Sequence, residues 1–150
     1  MYKKIMVPLD GSELAECAIP HLETIAKGQP PAEVIIIQAV EPISIPIGFE
    51  ISKLGSLAEV EKFETHQKTT AERYLKEVVA RLAGSGVKAR AEIVYGKAGE
   101  ALTDFAEKNN IDLVIMASHG RSGISRWTWG SVADRLLRSL RAPVLIVRAK

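Results

Sequence analysis

The chain has 150 residues, about the length of one domain, and is long enough to bury a single sizeable core. Hydrophobic residues make up 47% and charged residues 25%, which is ordinary for a folded globular protein and argues against disorder. Twenty Lys and Arg against eighteen Asp and Glu leave a net charge of +2, too small to indicate nucleic acid or an acidic membrane as a partner. One cysteine excludes an internal disulfide, and three scattered histidines argue against a dedicated zinc site.

The amino-terminal residues superficially suggest a secretory signal, because two lysines precede an apolar run. That run is too short for a signal peptide and is interrupted by Pro8 and Asp10. No other stretch approaches the roughly 18 consecutive apolar residues of a membrane-spanning helix. We therefore expect a cytoplasmic protein that does not insert into membranes.

The first part of the chain predicts two buried strands with a helix between them. An apolar run at residues 5–9 predicts a strand and a turn, and apolar residues at helical spacing over 14–26 predict a helix that Pro20 should kink. The β-branched run at residues 34–40 is typical of a strand buried on both faces of a parallel sheet. Residues 41–56 contain several Pro and Gly and predict an irregular, mobile flap.

The rest of the chain continues the alternation of helices and strands. Composition and periodicity predict a helix over 57–83, a half-exposed strand over 87–95, a helix over 98–109, a buried strand over 113–117, a helix over 130–140 and a last strand over 143–147. The order β-α-β-α-β-α-β-α-β predicts an α/β fold: one open, Rossmann-like parallel sheet with helices on both faces. Residues 1–150 contain no repeat or linker and are expected to form a single domain.

Ligands of open parallel sheets bind beyond the carboxyl ends of the strands, where the strand order reverses. Two loops could form such a site: Asp10-Gly11-Ser12 after the first strand, and residues 118–129 after the fourth. The second loop is long for a strand-to-helix connection and is rich in glycine, which lets the backbone approach a ligand closely. Gly130 and Ser131 lie where the last helix begins, and free amides at that point favour a phosphate.

Both key features also have a purely structural interpretation. Ser131 and Asp134 have the spacing of a capping box, in which a serine caps the helix without any ligand. Asp10 could accept hydrogen bonds from ribose hydroxyls, or it could form an Asx turn with the two residues that follow it. The combination of loop length, glycine placement and a facing carboxylate favours the ligand site.

Several catalytic and nucleotide motifs are absent from the sequence. There is no G-x-x-x-x-G-K-[ST], no G-x-G-x-x-G after the first strand and no G-x-S-x-G elbow. Ser118 and His119 could be a nucleophile and its base, but neighbours in sequence rarely face each other correctly, so His119 is interpreted as a polar loop residue. No residue is predicted to be catalytic.

The chain resembles the universal stress protein family along essentially its whole length. The opening strand and its Asp10 turn look like the family's first strand, and the end of the chain also fits. The stronger match is Ala117-Ser118-His119-Gly120, then nine residues, then Gly130-Ser131, which is similar to the family's nucleotide signature of G-x-x-G, nine residues and G-[ST]. Ala117 replaces the first glycine of that signature, so the resemblance implies weakened or altered binding.

The resemblance implies a five-stranded sheet in the order 3-2-1-4-5 and ATP as the ligand. Pro8 and Asp10 would lie beside the adenosine, and Ala39 would offer backbone groups to the adenine. The remaining implied site residues surround the nucleotide or hold its phosphates, with Mg or Mn as an implied divalent ion: Ala117, Gly120, Gly130, Ser131 and Val132.

The resemblance also implies a homodimer that pairs the last strands. The resulting hypothesis is an ATP-binding sensor or regulator of a stress response, with at most slow ATP hydrolysis. The alternative hypothesis is a nucleotide-free dimeric scaffold of the same fold, in which Gly130-Ser131 only begins a helix.

Overall fold

Five parallel strands form one sheet in the order β3-β2-β1-β4-β5, as the resemblance implies. A computed structural model describes residues 1–31, 33–43, 54–119 and 129–149, with the backbone alone at 54–57. The strands are β1 (Lys4–Pro8), β2 (Glu33–Val40), β3 (Arg90–Tyr95), β4 (Leu113–Ala117) and β5 (Val144–Val147). Every neighbouring pair is parallel, so the carboxyl ends of all five strands meet at one edge of the sheet.

Helices cover both faces of this sheet, which confirms the predicted α/β architecture. They are α1 (Ile19–Gly28), α2 (Leu54–Gly84), α3 (Ala98–Lys108) and α4 (Ser131–Ser139), and a 3-10 helix at Ala15–Ala18 precedes α1. Among the helices of the described ranges, none is both long enough and apolar enough to cross a membrane.

Successive side chains in each strand point to opposite faces of the sheet, where they pack into two separate hydrophobic cores. In β1, Ile5 and Val7 pack with α1 and α2, whereas Met6 packs with α3 and α4. The central strands β2 and β4 divide their residues in the same way. Because both faces are buried, these strands are continuous apolar runs in the sequence, which is why they were predictable.

Pro20 lies at the start of a helix, so the predicted kink inside a longer helix is wrong. The 3-10 helix ends at Ala18, α1 begins at Ile19, and Pro20 occupies the first turn of α1. A first-turn residue needs no intrahelical acceptor for its N–H, so proline is tolerated there. The periodic apolar pattern over 14–26 therefore spans two helical segments.

Strand β3 is shorter than predicted, because Val87 belongs to the preceding turn. Val87 is buried, and its amide donates to the Leu82 carbonyl at 2.9 Å, so that it closes the end of α2. An apolar residue that covers a helix end cannot be distinguished from a strand residue by alternation alone.

The predicted flap at 41–56 lies mostly outside the described residues.

Candidate functional site

A cavity of about 100 Å³ lies at the carboxyl edge of the sheet, where β1 and β4 are neighbours. After β1 the chain adds β2 and then β3 on one side of the sheet, and it then adds β4 and β5 on the other side of β1. The strand order therefore reverses between β1 and β4. The two following loops diverge there and leave a crevice. The cavity is mostly apolar and is lined by Pro8, Leu9, Asp10, Ala15, Ala39, Ala98, Leu102, Met116, Ala117, His119 and Val132.

The fold brings most of the predicted site residues to this one cavity. Its lining includes Pro8, Asp10, Ala39, Ala117 and Val132, which come from three different strands, one loop and one helix. Gly130 and Ser131 immediately precede Val132 at the start of α4. Gly120, the remaining predicted residue, lies outside the described residues, as does most of the 118–129 loop.

Asp10 forms the Asx turn that the sequence left open as an alternative. Its Oδ1 accepts a hydrogen bond from the Ser12 amide at 2.9 Å and another from the Ser12 hydroxyl. The Ser12 hydroxyl oxygen in turn accepts from the Ala15 amide at 3.2 Å, at the start of the 3-10 helix. This turn orients the Asp10 side chain at the cavity.

The start of α4 is not a capping box, so that structural interpretation of Ser131 is wrong. The residue at the N-cap is Gly130, which has no side chain with which to cap the helix. Ser131 is the first helical residue, and the Asp134 carboxylate accepts a bifurcated hydrogen bond from the Arg138 Nε, which lies 3.0 Å from each oxygen. Amides in the first turn of a helix have no intrahelical acceptor, so those of Ser131 and Val132 can bind an anion.

The Gly130 amide is already used within the protein. It donates to the Ser118 carbonyl at 2.9 Å and so joins the start of α4 to the end of β4. The residue that follows β4 and the residue that precedes α4 are therefore in direct contact. The bond fixes the start of α4 next to the carboxyl end of β4.

A second helix also begins at the cavity, which the sequence did not reveal. Ala98 and Leu102 of α3 line the cavity, and they are one helical turn apart. The Ala98 amide donates to the Glu41 carboxylate at 3.2 Å, so an acidic side chain that follows β2 satisfies the start of α3. The only sequence signal was that α3 follows β3 at the carboxyl edge of the sheet.

His119 is part of the cavity wall, whereas the sequence suggested only a polar loop residue. Its Nδ1 lies 3.1 Å from the Ser118 hydroxyl, so these neighbours in sequence do face each other. Ser118 is buried, with 5% of its surface exposed. The pair was visible in the sequence, but its geometry depends on where the chain turns after β4.

A polar cluster behind the cavity joins α2 to the 3-10 helix. The Tyr74 hydroxyl donates to Glu16 Oε1 at 3.0 Å, and Arg81 forms an ion pair with the same carboxylate. Burial, followed by the hydrogen bond to Glu16, raises the pKa of Tyr74 far above its ordinary value, and the Asp10 charge adds to the effect. These contacts hold the segment that follows Asp10 against α2.

Two further features bear on which ligands the protein could bind. Among the residues that the structure describes, no group of three or more His, Cys, Asp or Glu side chains could hold a metal ion. A larger cavity, of about 450 Å³, lies between the carboxyl ends of α3 and α4 at the opposite edge of the sheet. None of the predicted site residues lines this larger cavity.

Comparison with known proteins was made on both sequence and structure. The model of the universal stress protein family matches residues 1–148. Universal stress protein MJ0531 of Methanocaldococcus jannaschii is 34% identical over 148 residues, which cover 99% of this chain and 83% of that protein. Universal stress protein MJ0577 of the same organism is 32% identical over 158 residues, with 100% and 97% of the two chains covered.

Solved structures of similar proteins have the same architecture. A structure of MJ0577 has a TM-score of 0.82 at 28% identity and covers 100% of this chain and 98% of that one. A universal stress protein in complex with cAMP has a TM-score of 0.71 at 23% identity, with 99% and 98% of the two chains covered. The second likeness concerns the fold alone.

Proposed function

Because this chain belongs to the universal stress protein family, we propose that it binds ATP in the cavity between β1 and β4 and acts as a nucleotide-dependent regulator in a stress response. The observation that carries the proposal is the position of Asp10 and the start of α4 on one cavity. A carboxylate suits ribose hydroxyls, and helix-terminal amides suit phosphates. A protein of the same fold forms a complex with cAMP, so this fold can accommodate an adenine nucleotide.

In this proposal each wall of the cavity contacts a different part of ATP. Pro8 and the backbone of Ala39 face the adenine, and Asp10 accepts hydrogen bonds from the ribose. The phosphates lie at the start of α4, where Ser131 and Val132 donate backbone hydrogen bonds. Gly120 would complete the phosphate site. Mg or Mn would neutralise the phosphate charge, with its ligands coming mainly from ATP itself.

The departure of Ala117 from the family signature is compatible with this site. Ala117 ends β4, is buried and lines the cavity, so its methyl group lies at the place where a nucleotide would approach the strand. One methyl group reduces the available space without adding a charge or a large side chain. We therefore expect weaker ATP binding than a glycine would allow, and Ala117→Gly should increase the affinity.

A regulatory role agrees better with the cavity than rapid catalysis does. Among the described residues that line it, Asp10 and His119 carry the side chains that can exchange protons. The Asp10 carboxylate is held in a turn, and phosphoryl transfer depends mainly on positioned positive charge. We propose that hydrolysis is slow or absent, and that bound ATP changes the surface that other proteins contact.

We extend the proposal to the whole chain. The described strands belong to one sheet, which supports one nucleotide-binding domain over residues 1–150. The edge strand β5 supports a homodimer, because it leaves Leu145 37% exposed. Location in the cytoplasm stays a prediction.

The direct test is the melting temperature of the protein with and without ATP and magnesium. At an ATP concentration of about 100 times Kd, binding stabilises the fold by about 2.7 kcal/mol, which corresponds to roughly 5–10 °C for a chain of this size. Cyclic AMP and AMP in parallel samples identify which adenine nucleotide is preferred. The absence of a shift with all three would refute the proposal and favour the nucleotide-free scaffold.

Two variants of Asp10 make the test specific to the site. Asp10→Asn keeps an oxygen that can accept the Asx-turn hydrogen bonds, but it removes the negative charge that favours ribose hydroxyls. Asp10→Ala removes both the accepting oxygen and the negative charge. We expect the ATP-induced shift to fall in Asp10→Asn while the nucleotide-free melting temperature stays close to that of the wild type. Phosphate release that is abolished by Asp10→Ala but survives further purification would support slow hydrolysis by the protein itself, and release that is lost on purification would exclude it.

A further inference from the structure

Helix α2 holds the segment that follows Asp10 through one carboxylate. Glu16 Oε1 accepts a hydrogen bond from the Tyr74 hydroxyl at 3.0 Å, and the Arg81 guanidinium forms an ion pair with the same carboxylate. Tyr74 and Arg81 lie on one side of α2, about two turns apart. The Glu16 carboxylate is therefore bound by two side chains of the same helix.

A short hydrogen-bonded segment joins Glu16 to the wall of the cavity. Its neighbour Ala15 is buried and lines the cavity. The Ala15 amide donates to the Ser12 hydroxyl at 3.2 Å, and the Glu16 amide donates to the Glu13 carbonyl at 3.1 Å. Residues 10–16 therefore lead without a break from the cavity to the contact with α2.

The polar contacts of Glu16 contribute much of what fixes the 3-10 helix. A 3-10 helix of four residues has poor hydrogen-bond geometry and depends on tertiary contacts. Its buried side chains are those of Ala15 and Ala18, which are single methyl groups and bury little apolar area. The Glu16 side chain is only 24% exposed, so its contacts are screened by water less than those of an exposed ion pair.

We propose that Glu16 is a positioning residue of this site: through Tyr74 and Arg81 it holds residues 10–16 in the conformation that contacts a nucleotide, and so couples the cavity to α2. The inference rests on the proposed nucleotide site. A wall that is already ordered need not be ordered by the ligand, and the avoided cost appears as higher affinity. Because linkage is reciprocal, a bound nucleotide strengthens the contact with α2 by the same factor.

Electrostatics also connects Tyr74 with the cavity. Burial and the hydrogen bond to Glu16 are the main causes that raise the pKa of Tyr74, and the charge of Asp10 adds to them. The phenol on α2 and the carboxylate on the cavity are therefore close enough to interact. Neither Glu16 nor Tyr74 is among the described residues that line the cavity, so their effect on a ligand would act through residues 10–16.

The first test needs no ligand. Hydrogen exchange measures how often the amides of Ala15, Glu16 and Cys17 open, and each of them donates within this segment. We expect Tyr74→Phe to speed their exchange about three- to tenfold, the usual effect of one lost hydrogen bond. Tyr2→Phe is the matched control, because Tyr2 precedes β1 at the opposite edge of the sheet. Unchanged exchange in Tyr74→Phe would overturn the inference.

The second test measures the affinity for ATP and magnesium by calorimetry, at a temperature where every variant is folded. A merely structural role would lower the stability and leave this affinity unchanged. We expect Glu16→Ala to weaken binding about three- to tenfold. Glu16→Gln should recover most of the affinity, because it keeps an oxygen that can accept from Tyr74. Equal affinities for the wild type and Glu16→Ala would overturn the positioning role.

The ion pair offers a matched comparison of two arginines. Arg81→Gln breaks the pair with Glu16, whereas Arg90→Gln breaks a pair with Glu33 at the start of β3, on the edge of the sheet opposite the cavity. We expect weaker ATP binding in Arg81→Gln and wild-type affinity in Arg90→Gln. An equal loss in both would show that the effect does not come from the contact with Glu16.

A double-mutant cycle shows whether Tyr74 acts through Glu16. If it does, the protein with both Tyr74→Phe and Glu16→Ala should bind ATP no more weakly than Glu16→Ala alone, whereas additive losses would contradict a shared contact. A wild type that binds no adenine nucleotide would refute the proposed function and the positioning role together. A wild type that binds ATP as tightly as Glu16→Ala does would refute the positioning role alone.

Discussion

Gly130 shows how closely two backbone segments approach each other beside the cavity. A Cβ atom built on this residue would lie 3.1 Å from the Ser118 carbonyl oxygen, which is tighter than an ordinary contact. The carbonyl belongs to the backbone and accepts the Gly130 amide, so it cannot rotate away as a flexible side chain would. The requirement for glycine at this position therefore comes from packing, since its φ of −58° is open to any residue.

Gly130→Ala should weaken ATP binding at least about tenfold and destabilise the fold by about 1 kcal/mol, because the added methyl group pushes the start of α4 away from Ser118. Calorimetry and urea unfolding measure the two effects. Gly28→Ala is the control, since a Cβ atom at Gly28 would meet nothing within 4 Å. Wild-type affinity in Gly130→Ala would show that the nucleotide does not use the start of α4.

Tyr74 makes the stability of the fold depend on alkaline pH. The folded protein raises the pKa of Tyr74 through burial and the hydrogen bond to Glu16, whereas in the unfolded chain a tyrosine ionises near pH 10. The stabilisation is therefore fully present below about pH 10 and is lost as the pH rises above that value. As the pH rises from about 10 to about 12, the wild type should lose more stability than Tyr74→Phe, which cannot ionise at that position.

The measurement for Tyr74 is the free energy of unfolding in denaturant at several pH values. Subtracting the values for Tyr74→Phe removes the contribution of all other titrating groups that the two proteins share. The control is Tyr95→Phe, because the Tyr95 side chain is 58% exposed. If the wild type and Tyr74→Phe follow parallel curves across this range, the contact with Glu16 does not persist in solution.

At the scale of elements, the crossing of α3 and α4 depends on a second glycine. A Cβ atom built on Gly99 would lie 2.9 Å from Arg135 Cγ and 3.0 Å from Arg135 Cβ. Rotation of the Arg135 side chain can move Cγ, but Cβ is fixed to the α4 backbone, so the contact at 3.0 Å remains. Since Ala98 of α3 and Val132 of α4 line the cavity, the packing of these helices also sets its shape.

Gly99→Ala should therefore force α3 and α4 apart and destabilise the fold by about 1–3 kcal/mol, even though alanine favours helix formation. Gly84→Ala is the matched control, because Gly84 is also helical and a Cβ atom there would meet nothing within 4 Å. Urea unfolding compares the two variants. Equal stability for Gly99→Ala and Gly84→Ala would mean that the two helices separate at little cost.

At the scale of the whole molecule, β5 is an outer strand of the sheet, and β4 is its one neighbour among the described strands. The carbonyls of Pro143 and Val147, four residues apart, accept hydrogen bonds from the amides of Val114 and Ser118 in and after β4. Because alternate residues of a parallel strand bond to the same side, Val144 and Ile146 turn their backbone groups away from β4. Leu145 adds an exposed apolar side chain to this edge.

If β5 pairs with β5 of a second copy, Leu145→Lys should convert the proposed dimer to a monomer, because two lysines would meet across the edge. Light scattering after size exclusion gives the mass of each species. Phe63→Lys is the control, because Phe63 is 50% exposed but lies on α2. A Leu145→Lys protein that remains dimeric would place the interface on another surface.

The sequence by itself determined the order of strands and helices in this protein and predicted the two ends of its candidate site. Buried parallel strands are continuous apolar runs, so β1, β2 and β4 could be predicted from composition alone. Asp10 and Gly130-Ser131 were recognised because turn and helix-start chemistry is local. The strand order came from the resemblance, since no local pattern encodes which strands become neighbours.

Only the tertiary structure decided how these parts meet. It placed Ala98 and Leu102 on the cavity, put Pro20 at the start of a helix, and turned the Ser118 hydroxyl towards His119. Each of these facts depends on contacts between residues far apart in the chain, such as Ser118 with Gly130 and Ala149. Local sequence sets backbone preferences, but the partner of a buried polar group is chosen by packing.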